Sequence, residues 1–555
     1  AYSVAVDHHG EWVMARTALF DVLRRAAALS RYSRLHREPL DELVQRAAEQ
    51  RLDQSRRRFL ARSAGAVGSA ALLSACGQTL KKPHDVAGDD PVVVIGAGIA
   101  GLTAAWRLRQ AGVAVRVFEA NNRIGGRMYS LRDYFPDGQV IELGGELIDT
   151  DHTRIRGLAT ELGIELDDLL AVGGELEGDV WFAEGRRYSE ADLAHAFAPL
   201  GAAIDRDLAT LGDGDILWND HQGAQALDAM TITQWMDREG ADGWLRRLIE
   251  VAYTTEMGLE CDQQSALNLL TFIGTEPDTF QIFGGSDERF HVRGGNDRIV
   301  HALADKLSDA IETGSALESI AQDANGRYRL SLRRGESSME VMASQVLLAI
   351  PFTTLRQVRI DVALPAHKQR AIRDLRYGTN AKLMIGFNER VWNTRYQQNG
   401  STYADLPFQT TWDTTRAQPG VGGVLTNFTG GQHGLDIGEG KPKAQADAAA
   451  TQLDAIFPGI LAAREGAREV RMHWPTQPWA QGSYACFGPG DWTGIRGAMG
   501  EKVGRLHFAG EHCALDTQGF MEGGCESGEI AAAEILAGRG LSQALWQRVF
   551  RQRTA

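Results

Sequence analysis

The sequence predicts an α/β protein with a discontinuous Rossmann-like domain, an inserted α+β domain and a helical N-terminal arm. Three observations carry that reading. Residues Val92 to Arg127 read VVVIGAGIAGLTAAWRLRQAGVAVRVFEANNRIGGR: apolar run, glycine turn, Ala-rich helical pattern, second apolar run. Strand-like and helical segments return between residues 286 and 353, and again from about 475. The blocks between them carry helical and mixed patterns of their own. The 555 residues suffice for two or three domains, and 43% hydrophobic with 23% charged residues fits a globular chain.

Taken in order, residues 1–89 form the arm and a linker. Positions 11 to 54 show helical patterns among many Arg and Glu. Ser55-Arg56-Arg57-Arg58-Phe59-Leu60, then the mild apolar run Ala64 to Ala75, resemble a twin-arginine export signal, and Leu73-Ser74-Ala75-Cys76 resembles a lipoprotein cleavage box. Processing there predicts a periplasmic or lipid-anchored protein. An unprocessed arm, packed on the body or on a second subunit, predicts a cytoplasmic one. The run is too short for a membrane span.

The βαβ unit opens the second element. Gly96, Gly98 and Gly101 stand in G-x-G-x-x-G spacing between a strand and a helix. Gly96 allows the tight turn, Gly98 lets backbone approach a pyrophosphate, and Gly101 brings helix and sheet close. The amides around Ala97, Ile99 and Ala100 face the ligand at a positive helix end. Glu119, at the end of the second strand with Ala120 beside it, is placed to accept from ribose hydroxyls. A lone glycine fingerprint would read as a glycine-rich turn; with both strands and the acid it reads as a nucleotide site. Arg123, Gly126 and Arg127 then add a second nest of amides and guanidinium groups, which suits the diphosphate and ring system of FAD better than a simple nicotinamide dinucleotide.

These motifs resemble the flavin amine oxidase superfamily, of the monoamine oxidase and L-amino-acid oxidase type, and lean toward the bacterial L-amino-acid oxidases. The resemblance covers about residues 90 to 540 and rests on four separated motifs in the family's order. It implies that Gly144, Gly145 and Glu146 lie beside the flavin ring and Leu317 contacts adenine. It implies that Trp474 and Trp479 run along the isoalloxazine. From RLHFAGEHCALDTQGFMEGG it assigns Gly510 and Glu511 to ribose and phosphate, and Gly519, Phe520 and Met521 to the flavin. It also implies a domain plan. Residues 90–160, 286–353 and 475–545 form the FAD-binding domain, and 161–285 and 354–474 the substrate domain.

For chemistry, the resemblance implies hydride transfer from the substrate α-carbon to flavin, imine hydrolysis to a 2-oxo acid and ammonia, and reoxidation by O2 to hydrogen peroxide. Lys382, in the strand-like Asn380-Ala381-Lys382-Leu383-Met384, matches a lysine held through water to the flavin. Tyr484 and Phe520 match two upright aromatic rings that form a slot for the amine. The family's covalent members use a Cys just before the first of these; Ser483 stands there, so FAD is expected to be non-covalent.

The substrate expectation is an L-amino acid. The alternatives are a primary amine or polyamine, and an amino-acid 2-monooxygenase reaction. No Arg follows the LGG-like segment until Arg154, so the partner of a substrate carboxylate is not legible. Trp218, Trp235 and Phe283 are candidate pocket walls, with core packing the competing reading. The net charge of −14 argues against nucleic acid, and the five cysteines show no zinc spacing, so no metal is expected. A homodimer is the expected assembly.

Overall fold

A computed structural model describes residues 90–172, 176–273 and 287–541. The twin-arginine-like segment, Cys76 and Phe283 lie outside the described residues. The elements that frame the site begin with β1 (Val92–Ile95), α1 (Ile99–Gln110), β2 (Val115–Phe118), α2 (Thr153–Glu161), β3 (Val180–Ala183) and β4 (Arg186–Tyr188). Next come α3 (Gly243–Met257), α4 (Asp297–Lys306), β5 (Ile311–Glu312), β6 (Val346–Leu348) and β7 (Ala381–Phe387). β8 (Thr402–Ala404), β9 (Thr410–Asp413), β10 (Gly423–Thr429), β11 (Glu469–His473), β12 (Leu506–Phe508) and α5 (Met521–Gly538) complete the frame.

The first sheet has the order β12-β6-β1-β2-β5, and every pairing in it is parallel. All four residues of β1 are buried, as a strand covered on both faces requires. Val92 and Val94 join the core under α1, α4 and α5. Val93 and Ile95 point the other way, toward a mixed sheet in which Ala316–Gln322 pairs antiparallel with Tyr328–Arg334.

The second sheet has the order β11-β7-β10-β9-β8-β3-β4, so it is built from chain segments on both sides of residues 290 to 350. Its pairings are antiparallel except β8 with β3. The two-residue period of β7 decides the orientation of its lysine. Ala381, Leu383, Ile385 and Phe387 face a core of helices. Lys382 and Met384 face the opposite side, where Met384 packs with Leu143 and Trp474.

Between residues 232 and 257 the chain forms two helices, Ile232–Glu239 and α3. The break is Gly240, whose φ of +70° ends the first helix in the left-handed region. Among the described residues no helix is long and apolar enough to cross a membrane.

Candidate active site

A continuous cavity of about 560 Å³ runs from the glycine turn after β1 to the face of the second sheet. Its first half is built from backbone. Gly96 has φ +104°, and a Cβ there would lie 2.4 Å from the Ala349 carbonyl oxygen. A Cβ on Gly101 would lie 2.0 Å from the Gly96 oxygen, so this position fixes how closely α1 meets the turn. Gly98 differs: the nearest protein atom to its Cβ position is 4.0 Å away, and the residue lines the cavity. The space above Gly98 is open to a ligand. α1 carries no side-chain cap, which leaves its first-turn N–H groups available to an anion.

Glu119 spans the turn. One carboxylate oxygen accepts from Ala97 N at 2.8 Å and the other from Asn121 N at 2.8 Å. Burial pushes its pKa up, against the pull of those backbone donors and of Arg123. Each oxygen keeps a lone pair for a hydroxyl. Ala120, Arg123, Gly126, Leu317 and Arg333 line the same end.

The far motifs arrive through one ion pair. Arg127 Nη1 donates to Glu511 at 2.9 Å and to the Ser483 carbonyl at 2.5 Å. Glu511 also accepts from Gly519 N at 2.9 Å and Ala485 N at 3.2 Å. Helix α5 starts at the cavity with no side-chain cap, and Met521 and Gly524 line it. Two glycines let α5 press on α1. A Cβ on Gly524 would lie 2.5 Å from Ile99, and one on Gly528 would lie 2.4 Å from the Ala100 oxygen. Two positive helix ends therefore converge on one ligand volume.

The second half is built from side chains. The Gly144–Glu146 turn is pinned by Asn296, whose Nδ2 donates to the Gly145 and Glu146 carbonyls at 3.0 and 2.6 Å. Trp474 is buried and donates to the Leu143 carbonyl at 3.1 Å, while Trp479 sits on the rim at 37% exposure. Tyr484 donates from its hydroxyl to the Thr255 carbonyl at 2.8 Å. The Phe520 ring meets His152 edge-on at 4.8 Å. Both rings line the cavity.

Lys382 is fully engaged. Its ammonium donates to Glu146 Oε2 at 2.7 Å, the Gly144 carbonyl at 2.8 Å and the Glu142 carbonyl at 3.2 Å. An ammonium has three protons, and three acceptors are met. Glu146 in turn accepts from Trp412 Nε1 at 2.8 Å and Thr414 Oγ1 at 2.6 Å. Burial alone would raise the Glu146 pKa. The charge and hydrogen bond of Lys382, with Thr414 and Trp412, outweigh it and hold the carboxyl below its usual range.

Two expected pocket walls lie elsewhere. Trp218 stacks on His367 at 4.0 Å and donates to Glu501 at 2.7 Å, away from the cavity. Trp235 is fully buried in the helical core, where it donates to Asp207 at 2.6 Å. Trp235 lies on the helix Ile232–Glu239 and points into the core, while Trp218 lies in a turn and packs against the edge of that core. In their place the cavity is lined by Trp412, Phe428, Asp149 and Glu288, none of which the sequence reading proposed. Trp412 stands in the strand Thr410–Asp413, whose sequence Thr-Thr-Trp-Asp shows no alternation that would have singled it out. Asp149 and Glu288 carried no signal either.

The glycine cradle, the paired helix ends and a cavity that continues past them to Lys382 fit FAD. Comparison with known proteins agrees: residues 99–536 match the family model for flavin containing amine oxidoreductase. The chain belongs to that family. FAD is its cofactor. An L-amino acid dehydrogenase of Synechocystis is 26% identical over 466 residues, covering 80% of this chain and 94% of the relative. A flavin-containing amine oxidase of Danio rerio is 26% identical, with 82% and 88% covered. The solved structure of cyclohexylamine oxidase from Brevibacterium oxydans superposes with a TM-score of 0.71 at 25% identity, covering 82% of this chain and all of that one.

Proposed function

We propose that this amine oxidoreductase oxidises the carbon–nitrogen bond of a small amine to an imine, which water then hydrolyses, with O2 as electron acceptor and hydrogen peroxide as product. Bound FAD supplies the acceptor for the hydride equivalent. The observation that carries the reading is the continuity of the cavity. The glycine cradle leads directly to a pocket walled by Tyr484, Phe520, Trp412 and Phe428, with Lys382 at its side. The aromatic walls hold an amine against the reacting face and shut out water. The helix ends of α1 and α5 favour the negative charge that the cofactor carries and gains.

Charge selects among amines. At the substrate end Glu146, Asp149 and Glu288 line the cavity with Lys382 as the one cation among the described lining residues there, and Lys382 is spent on Glu146. A substrate carboxylate finds no spare cation among the described lining residues. The segment 274–286 next to Glu288 reads GTEPDTFQIFGGS and holds no Lys or Arg. An amine without a carboxylate therefore fits the lining best. One feature favours the L-amino-acid reading. Arg416 donates its Nε to the Asp413 carbonyl at 3.0 Å, and its terminal nitrogens have no partner among the described residues.

A peroxide screen of the twenty amino acids, benzylamine and putrescine tests both readings, with anaerobic bleaching of the flavin as the acceptor-independent check. Bleaching by amines alone supports the first reading, and bleaching by amino acids supports the second. An amide product with little peroxide would indicate amino-acid 2-monooxygenation. Bleaching by none would overturn the proposal. Ser483 at the position of covalent attachment predicts that trichloroacetic acid releases the yellow cofactor into the supernatant; a yellow pellet would contradict it.

A further inference from the structure

Lys382 brings a positive charge to the cavity wall, and the chain cancels it there. The Gly144–Glu146 turn, Lys382 and Met521 line the same cavity. The turn is tied to the cofactor half. Gly145 N donates to the Arg127 carbonyl at 3.1 Å, and a Cβ on Gly145 would lie 2.8 Å from Met521. The acceptors around the Lys382 ammonium are not alike. Two are neutral carbonyls, those of Gly144 and Glu142. The third is the Glu146 carboxylate, at 2.7 Å. The Glu142 carboxylate takes no part, because it is held by Ser130 Oγ at 2.7 Å and His291 Nε2 at 2.9 Å.

Glu146 is not a loose counter-ion. Its side chain is buried, and its other oxygen is fixed by Trp412 on β9 and by Thr414 just beyond that strand. Lys382 and these donors keep it ionised against the cost of burial. The cavity therefore meets an ion pair of zero net charge where Lys382 alone would present a cation. That matters for the return of electrons. Reoxidation takes the anionic reduced flavin, O2 and one proton to oxidised flavin and hydrogen peroxide, with two electrons passing to oxygen. The first electron turns neutral O2 into an anion. A bare positive charge nearby stabilises that anion, and a balanced pair does so far less.

We propose that Glu146 is a positioning residue that holds Lys382 in a charge-balanced pair and so restrains electron transfer from the reduced cofactor to O2. The inference rests on the reading of O2 as acceptor and adds a determinant of how well O2 competes with other acceptors. A quinone spreads its incoming charge over a large ring system, so the pair hinders it less.

The test uses the FAD-loaded enzyme and readouts that need no substrate: sulfite affinity, flavin reduction potential, and reoxidation by O2 after photoreduction. Sulfite bonds through its sulfur to flavin N5 and leaves an anionic ring, so its binding tightens with positive charge nearby. It is read as loss of the yellow absorbance. Glu146→Gln keeps the shape of the side chain and frees the Lys382 charge. That variant should bind sulfite about tenfold tighter or more, show a higher reduction potential, and be reoxidised by O2 faster by a similar factor. Reoxidation by a benzoquinone should change less. Lys382→Met should move sulfite affinity and potential the opposite way. Lys382→Met combined with Glu146→Gln removes both charges and should return sulfite affinity to within about threefold of wild type. General damage to the fold would not move the single variants in opposite directions. Unchanged sulfite affinity and potential in Glu146→Gln overturn the inference, and so does slower reoxidation by O2. If Glu146→Gln does not fold, a double variant that behaves like Lys382→Met overturns it. These readouts decide the role of Glu146 whichever amine, if any, bleaches the flavin, so failure of the amine reading remains a separate result.

Discussion

The two halves of the cavity hold their ligands by different means. The cofactor half is made of backbone: glycines at 96, 98 and 101, uncapped helix ends, and one carboxylate that ties a turn together. The substrate half is made of side chains whose charges must balance, with Lys382 against Glu146. A backbone site is specified by shape and tolerates little change of volume. A side-chain site is specified by charge and tolerates volume better than it tolerates a lost partner.

The largest effect should come from the glycines, and it should split. Gly101→Ala drives a Cβ to 2.0 Å from a carbonyl oxygen, so soluble, folded protein should be lost or its thermal midpoint should fall steeply. Gly98→Ala meets no protein atom closer than 4.0 Å. That variant should keep the melting temperature of the apoprotein and lose FAD affinity, measured by fluorescence titration. Equal behaviour of the two would erase the distinction between a packing glycine and a ligand-facing one.

Next is Lys382→Met. Removing the cation leaves Glu146 buried with no charge to oppose it, and stability should drop by about 3–5 kcal/mol in denaturant melts. Flavin reoxidation by O2 should slow more than flavin reduction. Adding Glu146→Gln to the same chain should recover part of the stability. A double variant as unstable as the single one would show that the pair is not coupled.

The smallest effect is a pH slope. Glu522, in the first turn of α5, accepts from the backbone N–H groups of Arg154 and Ile155 at 2.9 and 2.8 Å and so caps α2. Burial raises its pKa from 4.5 to about 7, against those hydrogen bonds. Between these values the folded state binds the proton more tightly than the unfolded state. Its contribution to stability is therefore complete below the unfolded pKa and declines as pH rises through about 7. Glu522→Gln should flatten that part of the stability–pH curve; an unchanged slope would assign it to another group.

What could be read from the sequence follows the same division. The cofactor half was legible because its determinants are local: glycine spacing, flanking strands and an acid about twenty residues on. The substrate half depends on pairs that only the fold assembles. Lys382 and Glu146 stand 236 residues apart, and Asp149 and Glu288 stand 139 apart. Lys382 was visible as a charge inside a strand pattern, but its partner was not. Trp218 and Trp235 misled because bulky aromatic residues satisfy a core or its edge as readily as a pocket.

The contact between α1 and α5 has a consequence for biosynthesis. Ile99 and Ala100 emerge from the ribosome early, while Gly524 and Gly528, which close on them, emerge among the last residues of the fold. A nascent chain can form β1, α1 and β2 but has only one wall of the cradle until residues 521–538 have been made. Cofactor capture is then a late event, and chains stalled or clipped before residue 520 should emerge colourless however well their first βαβ unit has formed.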